Sequence, residues 1–270
     1  MTTLAATDRW FPFVRPRPGA EVRLFCFPYA GGGASVFRDW AGRLPGHVEI
    51  CPVQLPGRET RFREPAFTRV APLVEALAKS LRPKLDQPFA LFGHSLGALV
   101  AFELSRRLQR DHGLEPTRLF VSGCGAPQTR ASQTAIHALP PAEFREELQR
   151  LNGTPAAILD NDELMELLLP TLRADFSLCE TYTYFDGPPL TCPITVLGGL
   201  SDDTVSRQDL DAWREQTTGP FRLLLLPGDH FFLNSARPLL IHTLAQDFQE
   251  AKYAPAAWQP SIFSLREGTL

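Results

Sequence analysis

The stretch LFGHSLGALV, Leu91 to Val100, decides how the rest of the chain is read. It opens inside a short apolar run, FALFG (89–93), and closes inside LGALVAFELSRRL, whose apolar residues recur at helical spacing. At the junction stands Gly93-His94-Ser95-Leu96-Gly97. The pattern G-x-S-x-G alone is weak, because with Gly and Ser each near 7% a chain of this length contains one by chance roughly one time in ten. Its position makes it informative. A serine at a strand–turn–helix bend is held in a strained conformation that lifts its hydroxyl above the sheet edge, and glycines two positions either side let strand and helix approach. The plainer alternative is a glycine-flanked turn with an incidental serine.

Working outward, further apolar runs recur: VRLFCF (22–27), VEICPV (48–53), RLFVSG (118–123), ITVLG (194–198) and FRLLLL (221–226). They are nearly continuous rather than alternating, as expected of parallel strands covered on both faces. Between them lie helical patterns. In TRVAPLVEALAKSLRPK, Val70, Val74, Leu77 and Leu81 form one stripe, and 96–110 and 235–250 read similarly. Alternating strands and helices predict an α/β fold with a mostly parallel central sheet and helices on both faces. Residues 1–252 are expected to form one domain, with a loosely ordered tail over 253–270.

One block breaks the alternation. From about 125 to 185 only helical patterns appear. PPAEFREELQRLNG has prolines at its first turn and Gly153 as a stop. Asp160 is the expected cap of the next helix, with Glu163 three residues on, and Pro170 predicts a kink or break within it. Leu164, Leu168 and Leu172 are expected on one apolar face. A helical insertion between two strands is either packing or a lid, and its own sequence does not choose.

Composition excludes several classes. Twenty-seven basic and 30 acidic residues give a net charge of −3, which does not suggest general affinity for nucleic acid or an anionic membrane. No run approaches 18 apolar residues, and the N-terminus lacks a signal-peptide pattern. Five cysteines without C-x-x-C spacing argue against a disulfide framework and a structural zinc site. Cys26 and Cys51, inside strands, read as small buried hydrophobes. A soluble cytoplasmic protein, monomeric by default, is expected.

A serine nucleophile needs a base, and the base an orienting acid. In this architecture they follow in the order Ser, Asp, His, each on a loop after a strand. Of six histidines, His47 precedes a strand, His94 lies inside the elbow, His112 is at a helix end, and His137 and His242 fall in helical segments. Only His230, in LLLLPGDHFFLNSA, follows a strand, sits in a loop and precedes the last helix. For the acid, Asp202 and Asp203 stand just past the strand 194–198. Attack on an acyl carbon also requires two preset backbone N–H groups for the oxyanion. One is expected from Leu96, after the nucleophile, and the other from Ala30, in the loop LFCFPYAGGGASVF. A phosphate-binding reading of Gly31-Gly32-Gly33 fails, because G-x-G-x-x-G would need glycine where Val36 stands.

FCFPYAGGGASVFRDW, VQLPGRETRFREPAF, FGHSLGALVAFELSRRL and GGLSDDTVSRQDLDAWREQT with PGDHFFLN together resemble the type II thioesterases that accompany polyketide and non-ribosomal peptide synthases. The resemblance runs from about Trp10 to Glu250. The family pattern G-G-x-x-D-x-x-V falls on Gly198, Gly199, Asp202 and Val205, which favours Asp202 over Asp203 as acid. It implies an α/β-hydrolase fold with the block 125–185 as an inserted helical lid, whose Leu168, Leu172 and Phe176 could line an acyl channel or simply pack. The implied substrate is an acyl group on the phosphopantetheine arm of an acyl or peptidyl carrier protein, and the implied task is removal of stalled or aberrant acyl groups through an acyl-serine. The implied chemistry uses no metal and no organic cofactor. A general carboxylesterase or lipase with the same triad, and a non-catalytic carrier-docking protein, are the competing readings. Since carriers are often acidic, Arg58, Arg61, Arg63 and Arg69 form a candidate docking area beside the plainer reading of a solvated loop.

Overall fold

The computed structural model describes residues 8–14, 16–130 and 135–253. Six strands, β1 (Val22–Phe27), β2 (Val48–Pro52), β3 (Phe89–His94), β4 (Arg118–Ser122), β5 (Ile194–Gly199) and β6 (Phe221–Leu226), form one sheet in the order β2-β1-β3-β4-β5-β6. Every neighbouring pair is parallel. The helices are α1 (Val70–Leu81), α2 (Leu96–His112), α3 (Pro141–Arg150), α4 (Ala156–Leu159), α5 (Asp162–Glu180), α6 (Arg207–Asp211), α7 (Phe232–Ser235) and α8 (Arg237–Tyr253).

The continuous apolar runs have the physical basis expected of them. Successive side chains leave opposite faces of a strand, so both faces must be covered. On one face Phe25, Phe27, Leu91 and Val121 pack with Leu73 and Leu77 of α1 and Leu99 and Phe102 of α2. On the other, Leu24, Cys26, Phe92 and Phe120 pack with Phe37, Trp40 and, from α8, Leu240 and Leu244. Each fully buried Leu or Phe contributes roughly 2 kcal/mol, so these two layers supply most of the driving force for folding. All five cysteines are free. Burial pushes the Cys51 and Cys192 thiols up to about 12, which keeps them protonated and unreactive.

The chain leaves β1 toward β2 on one side and returns to β3 on the other, so the strand order switches between β1 and β3. Such a switch opens a crevice beyond the carboxyl ends of the two strands. Two segments meet there, the glycine-rich loop after Phe27 and the elbow after Gly93, and Phe27 and Gly93 are partners in the register.

Helices are the only regular elements among the described residues from Pro141 to Glu180, between β4 and β5. They hold a small core of their own from Phe144, Leu148, Leu159, Met165 and Leu172. Three local expectations are corrected here. The α5 cap is Asn161, whose side chain accepts from Leu164 N–H at 3.0 Å, one residue past Asp160. Pro170 does not break α5, which runs through it. Leu164 is exposed rather than sharing the packed face of Leu172. The tail expected over 253–270 lies outside the described residues beyond Tyr253, the last residue of α8.

The basic docking area also dissolves. Arg58 and Arg61 are each 5% exposed, paired with Asp175 and Glu64. Only Arg63 and Arg69 of the four face solvent. A guanidinium on a solvated loop and one spent on a buried partner look alike in sequence, since the partner Asp175 is 117 residues away.

Candidate active site

Ser95 takes φ 55° and ψ −116°, a region that side-chain-bearing residues rarely adopt. Its neighbours hold it there. Ser95 N–H donates to Ser122 O at 2.8 Å, and Ala98 N–H donates to Ser95 O at 3.0 Å. The two glycines are required by contact. A Cβ on Gly93 would lie 2.1 Å from Gly97 O, and one on Gly97 would lie 2.1 Å from Phe27 O. The first turn of α2 is therefore pressed against both its own strand and the end of β1. Gly93→Ala is expected to cost roughly 3 kcal/mol or more, because the added methyl meets backbone rather than a movable side chain. A urea midpoint equal to that of the wild type would show that the bend relaxes freely.

His230 follows β6 and precedes α7. Its Nδ1 lies 2.8 Å from Asp202 Oδ2. Thr204 Oγ1 stands 3.0 Å from the same nitrogen. Asp202 Oδ1 accepts from Thr204 N–H at 2.9 Å and from Thr204 Oγ1 at 2.6 Å. Burial alone would raise the Asp202 carboxyl. The hydrogen bond and charge of His230, then the two bonds from Thr204, outweigh it and hold the group below its usual range. Asp203 is exposed and Asp229 bonds the N–H of Phe231 at 2.8 Å, so neither is the carboxylate on the imidazole. Sequence reasoning missed Thr204. The signal was available, since an aspartate accepting from the N–H two residues on forms an Asx turn, and Asp202 has Thr204 at that position where Asp203 has Val205.

His94 is fully buried, with its Nδ1 2.9 Å from Ser122 Oγ and its ring centroid 5.4 Å from that of His230. Burial first, and the neighbouring His230 second, push it down to about 3. The unfolded chain takes up this proton near 6.5 and the folded chain only near 3, so stability falls as pH falls through that interval. The contribution is about 1.4 kcal/mol per pH unit. Comparing urea unfolding at pH 7 and pH 4.5 should show a smaller acid loss in His94→Asn than in the wild type. Equal losses would assign the acid sensitivity to other groups.

Ala30 and Leu96 sit on the two segments that meet at the crevice. Ala30 N–H makes no hydrogen bond among the described residues. The insertion touches the loops at this end of the sheet. Leu172 reaches the loop, where a Cβ on Gly31 would lie 2.7 Å from its Cδ2, and a Cβ on Gly153 would lie 2.6 Å from Phe231 Cζ. Leu168 and Phe176 pack against the insertion's own core around Leu172. A separate cleft of about 620 Å³ opens at the end of α5 between Arg69, Gln128, Arg130, Tyr182 and Tyr184; none of Leu168, Leu172, Phe176 or Ser95 lines it. Among the described residues no group of three or more His, Cys, Asp or Glu is arranged to hold a metal ion. No described helix is long and apolar enough to cross a membrane.

A doubly wound parallel sheet with a left-handed serine elbow at its switch point places the chain among the α/β-hydrolases. A family model described as the thioesterase domain matches residues 22–248. Gramicidin S biosynthesis protein GrsT of Aneurinibacillus migulanus is 44% identical over 249 residues, covering 92% of this chain and 97% of that protein. The solved structure of RedJ, a thioesterase from the prodiginine pathway of Streptomyces coelicolor, superposes with TM-score 0.80 at 40% identity, over 90% of this chain and 100% of that one. YbtT, the type II thioesterase of the yersiniabactin pathway, gives TM-score 0.78 at 34% identity, over 88% and 96%. The chain belongs to the thioesterase family, as a type II member.

Proposed function

We propose that the chain hydrolyses acyl thioesters on the phosphopantetheine arms of acyl or peptidyl carrier proteins, clearing stalled or aberrant acyl groups from a polyketide or non-ribosomal peptide synthase. The observation that carries the reading is the Asp202–His230 hydrogen bond of 2.8 Å at the sheet end that bears Ser95.

In this mechanism Nε2 of His230 accepts the Ser95 proton as Oγ attacks the thioester carbonyl. The tetrahedral oxyanion is stabilised by the N–H groups of Ala30 and Leu96. Its collapse breaks the C–S bond. The leaving sulfur has a conjugate thiol pKa near 8.5, so it departs readily and takes the proton back from His230. Water, deprotonated by His230, then attacks the acyl-serine, and the carboxylic acid leaves as Ser95 is reprotonated. Asp202 fixes the imidazole tautomer throughout and stabilises the imidazolium. Single-domain organisation, with the insertion as a lid over the acyl group, and a monomer working in the cytoplasm beside its synthase complete the reading.

The test is thiol release from an acyl-phosphopantetheinyl carrier, measured beside hydrolysis of the matching oxygen ester. Carrier turnover exceeding ester turnover is expected. Ester turnover without carrier turnover would make the protein a carboxylesterase, and absence of both would leave a docking protein.

A further inference from the structure

The loop after β1 is gripped by a residue far away in sequence. Asp175, on α5, is 0% exposed, and its Oδ2 accepts from Gly31 N–H at 2.7 Å. The same carboxylate is held in fork geometry by Arg58, with Nη1 to Oδ2 at 2.6 Å and Nη2 to Oδ1 at 2.7 Å. Arg58 Nη1 also donates to Gly32 O at 3.2 Å. Thr171 Oγ1, one turn earlier on α5, donates to Gly57 O at 2.6 Å. On the far side of the loop Gln54 accepts from Ala34 N–H at 3.1 Å and donates to Arg58 O at 3.2 Å.

Stability gives no reason for this pair. Removing two charges from water costs about as much as their attraction returns, and well-packed apolar residues of similar volume often do as well or better. What the pair supplies is a fixed position. Ala30 is flanked by two peptide planes. The first, Tyr29–Ala30, carries the free N–H of Ala30 and is set because Tyr29 O accepts from Gly32 N–H at 2.9 Å. The second, Ala30–Gly31, is set by the bond from Gly31 N–H to Asp175. With Gly31 N–H consumed and the turn closed, the peptide plane that carries the unbonded Ala30 N–H is held on both sides.

We propose that Asp175 and Arg58 are positioning residues through which α5 sets the oxyanion loop. This rests on the assignment of Ala30 as oxyanion donor given above. The insertion is thus part of the apparatus that shapes the transition-state site, in addition to covering the acyl group.

The test is the double variant Arg58→Met with Asp175→Leu, which removes both charges and roughly keeps their volume. Two rates are read: turnover of an acyl-pantetheine thioester, split into kcat and KM, and the second-order rate of Ser95 labelling by a short alkyl fluorophosphonate. Labelling also builds charge on an oxygen held by the oxyanion donors but needs no carrier and no particular acyl chain. The folded variant is expected to keep its Tm and its KM within about twofold, while kcat and the labelling rate fall on the order of 10- to 100-fold, less than the 10²–10³ lost with an entire donor. A purely structural pair would instead lower Tm and leave the rates of the folded protein intact. Should the double variant not fold, Arg58→Lys keeps the charge and loses the fork, and a smaller fall in the same two rates is expected. Wild-type rates in either folded variant overturn the proposal and leave the site assignment standing. A wild-type chain that neither turns over nor labels defeats both.

Discussion

Ser95→Ala is expected to lower kcat on a carrier-bound acyl thioester by about 10⁶, the loss seen when the nucleophile of a serine-hydrolase triad is removed. The size follows from the division of labour. Without the hydroxyl no acyl-enzyme forms, and water must attack the thioester directly from a site built to hold an oxygen nucleophile at the elbow. The oxyanion donors and substrate binding persist, so a residual acceleration of 10³–10⁴ over water is expected to remain. The substitution removes one oxygen from a half-buried position, and alanine carries the same Cβ, so the φ of 55° is no harder to hold. Tm is therefore expected to stay within a few degrees of the wild type. The check is single-turnover release of thiol together with loss of fluorophosphonate labelling. A variant that retains more than a hundredth of wild-type turnover would mean that another nucleophile carries the reaction.

The elbow was readable because each of its determinants is local: an apolar strand, a helical run, and small residues at the two positions where backbone meets backbone. The six strands were readable for a related reason. Burial on both faces leaves a continuous apolar run, and the edges of β1 fall where VRLFCF begins and ends. What failed depends on distant partners or on one-residue geometry. Nothing near Arg58 in sequence says that its guanidinium will meet Asp175 across 117 residues, so it read as a surface charge. Asp160 and Asn161 are both good caps, and only the structure says which N–H is within reach. Leu164 has the spacing of a core residue but lies on the first turn of α5, beyond the small core that Leu172 joins. Of the proposed triad, order along the chain and strand-end position pointed to His230 and to the Asp202–Asp203 pair, and the backbone of the loop then brings Asp202 to the ring.

That geometry makes Asp202→Asn the second large expected effect. In the wild type the Asp202 carboxylate accepts the proton on Nδ1 of His230, which leaves Nε2 as the unprotonated nitrogen able to take a proton from Ser95. An asparagine amide can present its N–H₂ to Nδ1 instead. The imidazole then carries its proton on Nε2 and offers Ser95 a donor where a base is needed. A fall in kcat of about 10⁴ is expected at neutral pH, with KM little changed because Asp202 acts on the ring through Nδ1. Thr204 still contacts Nδ1 and can bond the asparagine oxygen, so the loop should keep its shape and the loss should be chemical rather than structural. Asp203→Asn, one residue on and exposed, is expected to change kcat by less than about twofold. Measuring kcat and KM for both variants with one acyl-pantetheine thioester decides the matter. If Asp203→Asn is the damaging change, or if both are mild, the carboxylate seen on His230 is not the one that orients it during catalysis. If Asp202→Asn alone collapses kcat while Tm and KM hold, the loss belongs to what the carboxylate does for the ring, setting its tautomer and balancing the imidazolium charge, because Asp203→Asn removes the same charge from the loop without effect.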